Sequence, residues 1–189
     1  MKKFLSIKNL SICLAVLCLL LVFAFSFVTE FHVYNSVSNH SYLNIIWGCD
    51  AIKDNTDGTI SRFSPGNEIS ASVFGLIGTA VALISGIFTI VFALAGKRMF
   101  KNERDLKIAM FVMGGLAIVG GVFSFFALEG FFISYSKLLG TTVEDMKDLF
   151  KQSGAVMSCP FQIVNGVLGV AAGGLVIGSQ FMPDTSLIK

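Results

Sequence analysis

The chain has 189 residues, 54% of them hydrophobic and only 14% charged, with 14 Lys and Arg against 12 Asp and Glu for a formal charge of +2. Soluble domains carry charge at about a quarter of their positions, and the mean hydropathy here is +0.77, so the composition excludes an ordinary soluble domain. A near-neutral balance on so apolar a chain also excludes nucleic-acid binding through a basic face.

Charge is absent from Leu10 to Thr29, and Leu14–Phe25 reads LAVLCLLLVFAF with no polar stripe. A bilayer core of ~30 Å needs about 20 such residues, so the first expected span covers about 10–30. Lys2, Lys3 and Lys8 precede it. The rival reading is a secretory signal peptide with Ala24-Phe25-Ser26 as its cleavage site.

Residues 31–68 hold most of the acidic side chains of the first half and form the first expected outer loop. Ser41–Ile52 (SYLNIIWGCDAI) is rich in β-branched and aromatic residues, Asp54–Gly58 (DNTDG) is a turn signal, and Thr59–Phe63 alternates again. That pattern predicts a small β-hairpin. Trp47, Tyr42 and Phe63 are its candidate partner-facing aromatics, and Trp47 is also suited to the lipid headgroup level. An EF-hand calcium loop fails on spacing. His32 and His40 have no carboxylate at ligand spacing and read as solvated surface residues, with no metal site.

The second charge-free run, Ile69 to Gly96, predicts a span over 69–96. The connection 97–107 carries Lys97, Arg98, Lys101, Arg104 and Lys107. Short loops rich in Lys and Arg stay on the cytoplasmic side, so this loop and both termini are assigned there, and the preferred location is the plasma membrane. A third span covers 108–128, and the outer loop 129–159 follows. Thr141 and Thr142 ahead of Glu144 and Asp145 predict a helix start, with Val143, Met146, Leu149 and Phe150 on one face of a short amphipathic helix. Pro160 opens the fourth span, 160–182, from its first turn.

Cys49 and Cys159 both fall on the outer side, where disulfides form, and are the preferred bridge. Gly114, Gly115, Gly120 and Gly121 in span three and Gly169, Gly173, Gly174 and Gly178 in span four are candidate helix-packing positions, because small residues four apart let backbones approach. Packing within the chain and self-association are both open uses. The spans contain no Asp, Glu, Lys, Arg or His at mid-membrane, as proton relays and ion-coupled transporters require, and no phosphate loop, zinc motif or nucleophile elbow occurs. Gln162, Asn165 and Gln180 are suited to hydrogen bonds across helices.

The fold class that follows is an all-α integral membrane protein: a four-transmembrane-helix bundle with a small β-hairpin in the first outer loop and a short amphipathic helix in the second. Four spans with inner termini, a longer first outer loop and its Trp47-Gly48-Cys49 cluster resemble the claudin and related tetraspan layout. In those families the tryptophan is followed by two cysteines, whereas this loop has Cys49 alone. The resemblance implies adhesion, barrier formation or organisation of other membrane proteins. The expected activity is non-enzymatic and without cofactor, with membrane lipids, the chain itself or other membrane proteins as partners. The alternative is a small channel or transport subunit active as an oligomer.

Overall fold

The computed structural model describes residues 6–29, 31–34, 39–50, 52–54, 60–62, 68–152, 154 and 156–183. In chain order the elements are α1 (Ile7–Phe25), β1 (Phe31–Tyr34), β2 (Asn39–Ser41), α2 (Tyr42–Trp47), β3 (Cys49–Asp50), β4 (Ile52–Asp54), β5 (Ile60–Arg62), β6 (Glu68–Ile69), α3 (Val73–Met99), α4 (Glu103–Ser124), α5 (Ala127–Leu139), α6 (Val143–Gln152), β7 (Val156–Met157) and α7 (Pro160–Ser179). Helices α1, α3, α4 and α7, of 19, 27, 22 and 20 residues, are each long and apolar enough to cross a membrane. Their ends depart from the charge-free runs by a few residues. Helix α4 begins at Glu103, inside the basic connection, because an intrahelical ladder continues into water as readily as into lipid and Glu103 and Asp105 favour a helix N-terminus.

The described residues cluster into two compact units. The first takes in the chain up to Ala24, Gly78–Val122 and the residues from Asn165 onward. Its interior is made of Ile12, Ala15, Leu19, Val22, Ala82, Met110, Ala117, Ala172 and Val176, together with buried Ser11, Thr79, Ser85, Thr89, Asn165 and Ser179. Its exposed positions include Leu10, Leu14, Leu17, Leu20, Ile84, Ile87, Leu94, Val112 and Val167. Large aliphatics exposed along the outside, with alanines and hydroxylated side chains among the buried positions, are unlike a water-soluble domain and match helices whose solvent is hydrocarbon. Two of the interior hydroxyls bond to neighbouring backbones: Ser11 Oγ donates to the Leu175 carbonyl at 3.0 Å and Ser85 Oγ to that of Met113 at 2.7 Å.

The second unit comprises Phe25–Ile77 and Phe123–Val164. Its core is large and aromatic, built from Tyr42, Ile45, Ile46, Ile69, Ala127, Phe131, Phe132, Met146, Phe150 and Cys159. Strand β1 pairs antiparallel with β2 (Val33 opposite His40) and with β7 (Val33 opposite Met157), giving the order β2-β1-β7. Strand β3 pairs with β6, and β4 with β5 in the register Ile52 to Arg62 and Asp54 to Ile60. The turn expected at Asp54–Gly58 lies outside the described residues after Asp54.

The expected strand over Ser41–Ile52 is corrected: its centre, Tyr42–Trp47, is helical. Ser41 caps the turn, its Oγ accepting the Asn44 N–H at 3.3 Å. Tyr42, Ile45 and Ile46, at i, i+3 and i+4, all point into the core. Gly48, at φ 84°, then ends the helix where a Cβ would lie 2.7 Å from the Ile69 carbonyl oxygen. Helix α4 starts before the charge-free run 108–128 and stops at Ser124, and the chain resumes as a separate helix, α5. The short amphipathic helix expected between the third and fourth apolar segments is α6. Its Thr142 Oγ1 accepts the Asp145 N–H at 3.1 Å, and Met146 and Phe150 are buried. Lys147 joins it to α5 through Glu129 at 2.6 Å.

Candidate functional site

The sequence put three aromatics and two cysteines of the outer loops forward as a partner-facing surface and a staple, and the structure separates them. Tyr42 is fully buried and stacks at 6.1 Å on Phe161, so it faces no partner. A capped helix rather than a strand turns its ring inward, which corrects that assignment. Phe63 lies outside the described residues. Trp47 is 41% exposed. Its ring stacks on Phe27 at 5.4 Å and its Nε1–H donates to the Ser26 carbonyl at 3.1 Å.

Cys49 and Cys159 belong to one apolar cluster, Cys159 in its core and Cys49 against it. Both are thiols here, so the expected bridge is not formed. Burial pushes the Cys159 thiol up to about 12, which leaves it protonated and unreactive at neutral pH.

His40 is the side chain that sequence reasoning misplaced most. It is 2% exposed, its ring 5.0 Å from that of Phe131 and 5.8 Å from that of Tyr135. Its Nδ1 lies 3.6 Å from Cys49 Sγ, and its Nε2 is buried with no hydrogen-bond partner among the described residues. Burial lowers its pKa to about 4, so the imidazole is neutral at physiological pH and serves as an aromatic core residue. The overlooked signal was Ser41 directly after it: a helix cap at the edge of a core fixes the preceding strand residue in or out, and Val33 across β1 pairs with His40.

No group of three or more His, Cys, Asp or Glu side chains among the described residues is placed to hold a metal ion. A histidine beside a thiol could in principle form a nucleophile and base, but His40 is 2% exposed and packs against the rings of Phe131 and Tyr135, which leaves a substrate no access to it in this structure.

The candidate helix-packing glycines divide into two sets. A Cβ on Gly121 would fall 2.6 Å from Val170 N and 2.7 Å from Gly166 O, and one on Gly169 would fall 2.6 Å from Gly121 Cα. Gly114 and Gly173 meet in the same manner, and a Cβ on Gly120 would fall 3.1 Å from the Gly78 carbonyl oxygen. Helices α4 and α7 therefore touch backbone to backbone. Gly115, Gly174 and Gly178 have nothing within 4 Å of such a Cβ.

No protein-family model, curated protein or solved structure matches the chain. Asn165, fully buried, donates through Nδ2 to the Val22 carbonyl at 3.3 Å, and Gln162 Oε1 accepts the Leu128 N–H at 2.9 Å. Gln180 Nε2 donates to Ser179 Oγ at 2.7 Å.

Proposed function

We propose that the chain is a non-enzymatic, multi-pass membrane protein whose four apolar helices form a bundle and which organises a complex by associating with itself. The observation that carries this reading is the division of glycines on α7. Gly169 and Gly173 are taken up by α4, while Gly174 and Gly178, four apart, open onto space with exposed Ala171 beside them. Spacing of this kind supports close helix approach in lipid, and a second copy supplies a helix of matching shape. The outer loops then stand ready for further protein partners, in keeping with the claudin-like order of elements.

The basic connection Lys97–Lys107 supports cytoplasmic termini, and the plasma membrane is the proposed location. The polar side chains of α7 and its end favour this structural role over conduction. Asn165, Gln162 and Gln180 are engaged in hydrogen bonds with neighbouring groups, whereas a conduction path needs such groups turned toward permeant water or ions.

Particle mass in mild detergent tests the reading. Gly174→Leu with Gly178→Leu should reduce an oligomer to a smaller species while helical content and thermal midpoint stay near those of the parent. An unchanged particle, or a parent that is already monomeric across concentration and detergent, overturns it.

A further inference from the structure

Trp47 is the single tryptophan of the chain, and its setting differs from that of a core aromatic. It ends α2 with 41% of its surface exposed, stacked on Phe27, itself 47% exposed. Their ring planes lie 23° apart with centroids at 5.4 Å. The indole N–H does not point to solvent. It donates at 3.1 Å to the carbonyl of Ser26, the residue that follows α1, and so satisfies one of the carbonyls that a helix end leaves open.

Position along the chain supplies the occupant. Helix α1 has 19 residues, or ~28 Å at 1.5 Å per residue, against a hydrocarbon core of ~30 Å. A helix of that length spends nearly all of itself crossing, so Ser26 and Phe27 fall at the boundary between acyl chains and headgroups. Leu10, Leu14, Leu17 and Leu20 on α1 are about half exposed, as a helix side solvated by lipid would be. The stacked pair is thereby tied, by one hydrogen bond and one chain connection, to the point where that helix leaves the hydrocarbon. An indole ring with its one donor satisfied is well suited to that layer, where tryptophan is enriched.

We propose that the stacked Trp47–Phe27 pair is a lipid-binding element, seated among the headgroups of the leaflet at the C-terminal end of α1, and that its partner is the bilayer and no protein. The pair holds α2 and the strand β3 that follows it down on the membrane surface. This inference stands on different residues from the proposed self-association through α7, so either can fail without the other.

A sole tryptophan makes the test direct. The full chain is reconstituted in phosphatidylcholine vesicles, and its fluorescence is quenched with phospholipids brominated near the glycerol, with phospholipids brominated near the acyl terminus, and with aqueous acrylamide. The expected result is the largest loss from shallow bromines, a smaller one from deep bromines and the least from acrylamide. Moving the reporter with Trp47→Phe and Phe27→Trp should preserve that order. Strong quenching by acrylamide with none by brominated lipid overturns the proposal, because the pair then faces water. Weak quenching by all three overturns it as well, because a protein surface then covers the ring.

Discussion

Adding one methyl group at Gly121 and one at Gly174 separates the two uses of glycine in these helices. Both substitutions change the same atoms in an apolar helix. At Gly121 the new Cβ would meet Val170 N at 2.6 Å, Gly166 O at 2.7 Å and Gly169 C at 3.0 Å. Ordinary contacts of this kind lie beyond 3.4 Å, so α4 and α7 would have to part by a large fraction of an ångström along a shared line that also includes Gly114 and Gly173. All three obstacles are backbone atoms, which cannot turn aside as the end of a flexible side chain can. Overpacking of this sort costs about 1–3 kcal/mol, and the rigid backbone puts Gly121→Ala at the upper end. Gly174→Ala meets nothing within 4 Å and gains helix propensity of up to about 1 kcal/mol. Gly121→Ala gains the same propensity, so the two variants should differ by the overpacking cost alone, about 2–3 kcal/mol. Equilibrium unfolding of the chain in mixed micelles, read by circular dichroism at low protein concentration, measures the difference. Equal midpoints for the two variants, or a Gly121→Ala variant as stable as the parent, would refute the backbone contact between α4 and α7.

Two further outcomes follow from the second unit. His40 has its pKa lowered to about 4 from 6.5, so the unfolded chain takes up its proton first as pH falls. Stability is complete above pH 6.5, declines between 6.5 and 4 and levels off below, with a loss from this group of at most about 3 kcal/mol; in a His40→Phe variant the decline over that window should flatten, as judged by the unfolding midpoint against pH, and a parent midpoint flat over the same window would show that the imidazole is not buried. Ser41→Ala removes the side-chain cap of α2 and should cost about 1 kcal/mol, with Ser41→Asp retaining most of the stability; equal losses in the two variants would mean that the Asn44 N–H has no need of the Ser41 oxygen.

What could be read in the sequence was what lipid itself selects. Charges are expelled from hydrocarbon, so their gaps mark α1, α3, α4 and α7 to within a few residues. The capping pattern at Thr142 locates α6 because a cap is a local event with a local signature. The segment Ser41–Trp47 shows where such reading fails. Its Tyr and Ile residues have strand propensity, and that weighed more than the serine cap and the i, i+3, i+4 spacing of Tyr42, Ile45 and Ile46. Tertiary burial of those three side chains decided the matter, and no window of sequence contains the core they enter. The same holds for His40, whose residue type suggests water while Phe131 and Tyr135, far along the chain, enclose it.

The glycines expose a deeper limit. Helix α7 carries small residues on two sides, and either Gly169 with Gly173 or Gly174 with Gly178 could have met α4, since the spacings are identical. What breaks the tie is the partner: Gly121 on α4 meets Gly169 and Gly114 meets Gly173, while an added Cβ on Gly174 or Gly178 has nothing within 4 Å. In lipid the choice has unusual weight. Burying Leu or Val gains little there because the solvent is as apolar as the core, so dispersion at close range and a few backbone-directed hydroxyls must hold the first unit together. In the second unit Phe131, Phe132, Phe150 and Tyr42 are buried, and truncating one of the phenylalanines to alanine should cost about 3–5 kcal/mol. One chain therefore joins two kinds of interior. The first is sensitive to added volume and the second to lost volume: Gly121→Ala and Phe131→Ala should both destabilise, and because the atoms that meet the new Cβ are backbone and the facing Gly166 and Gly169 are already glycine, no smaller side chain on α7 relieves the first.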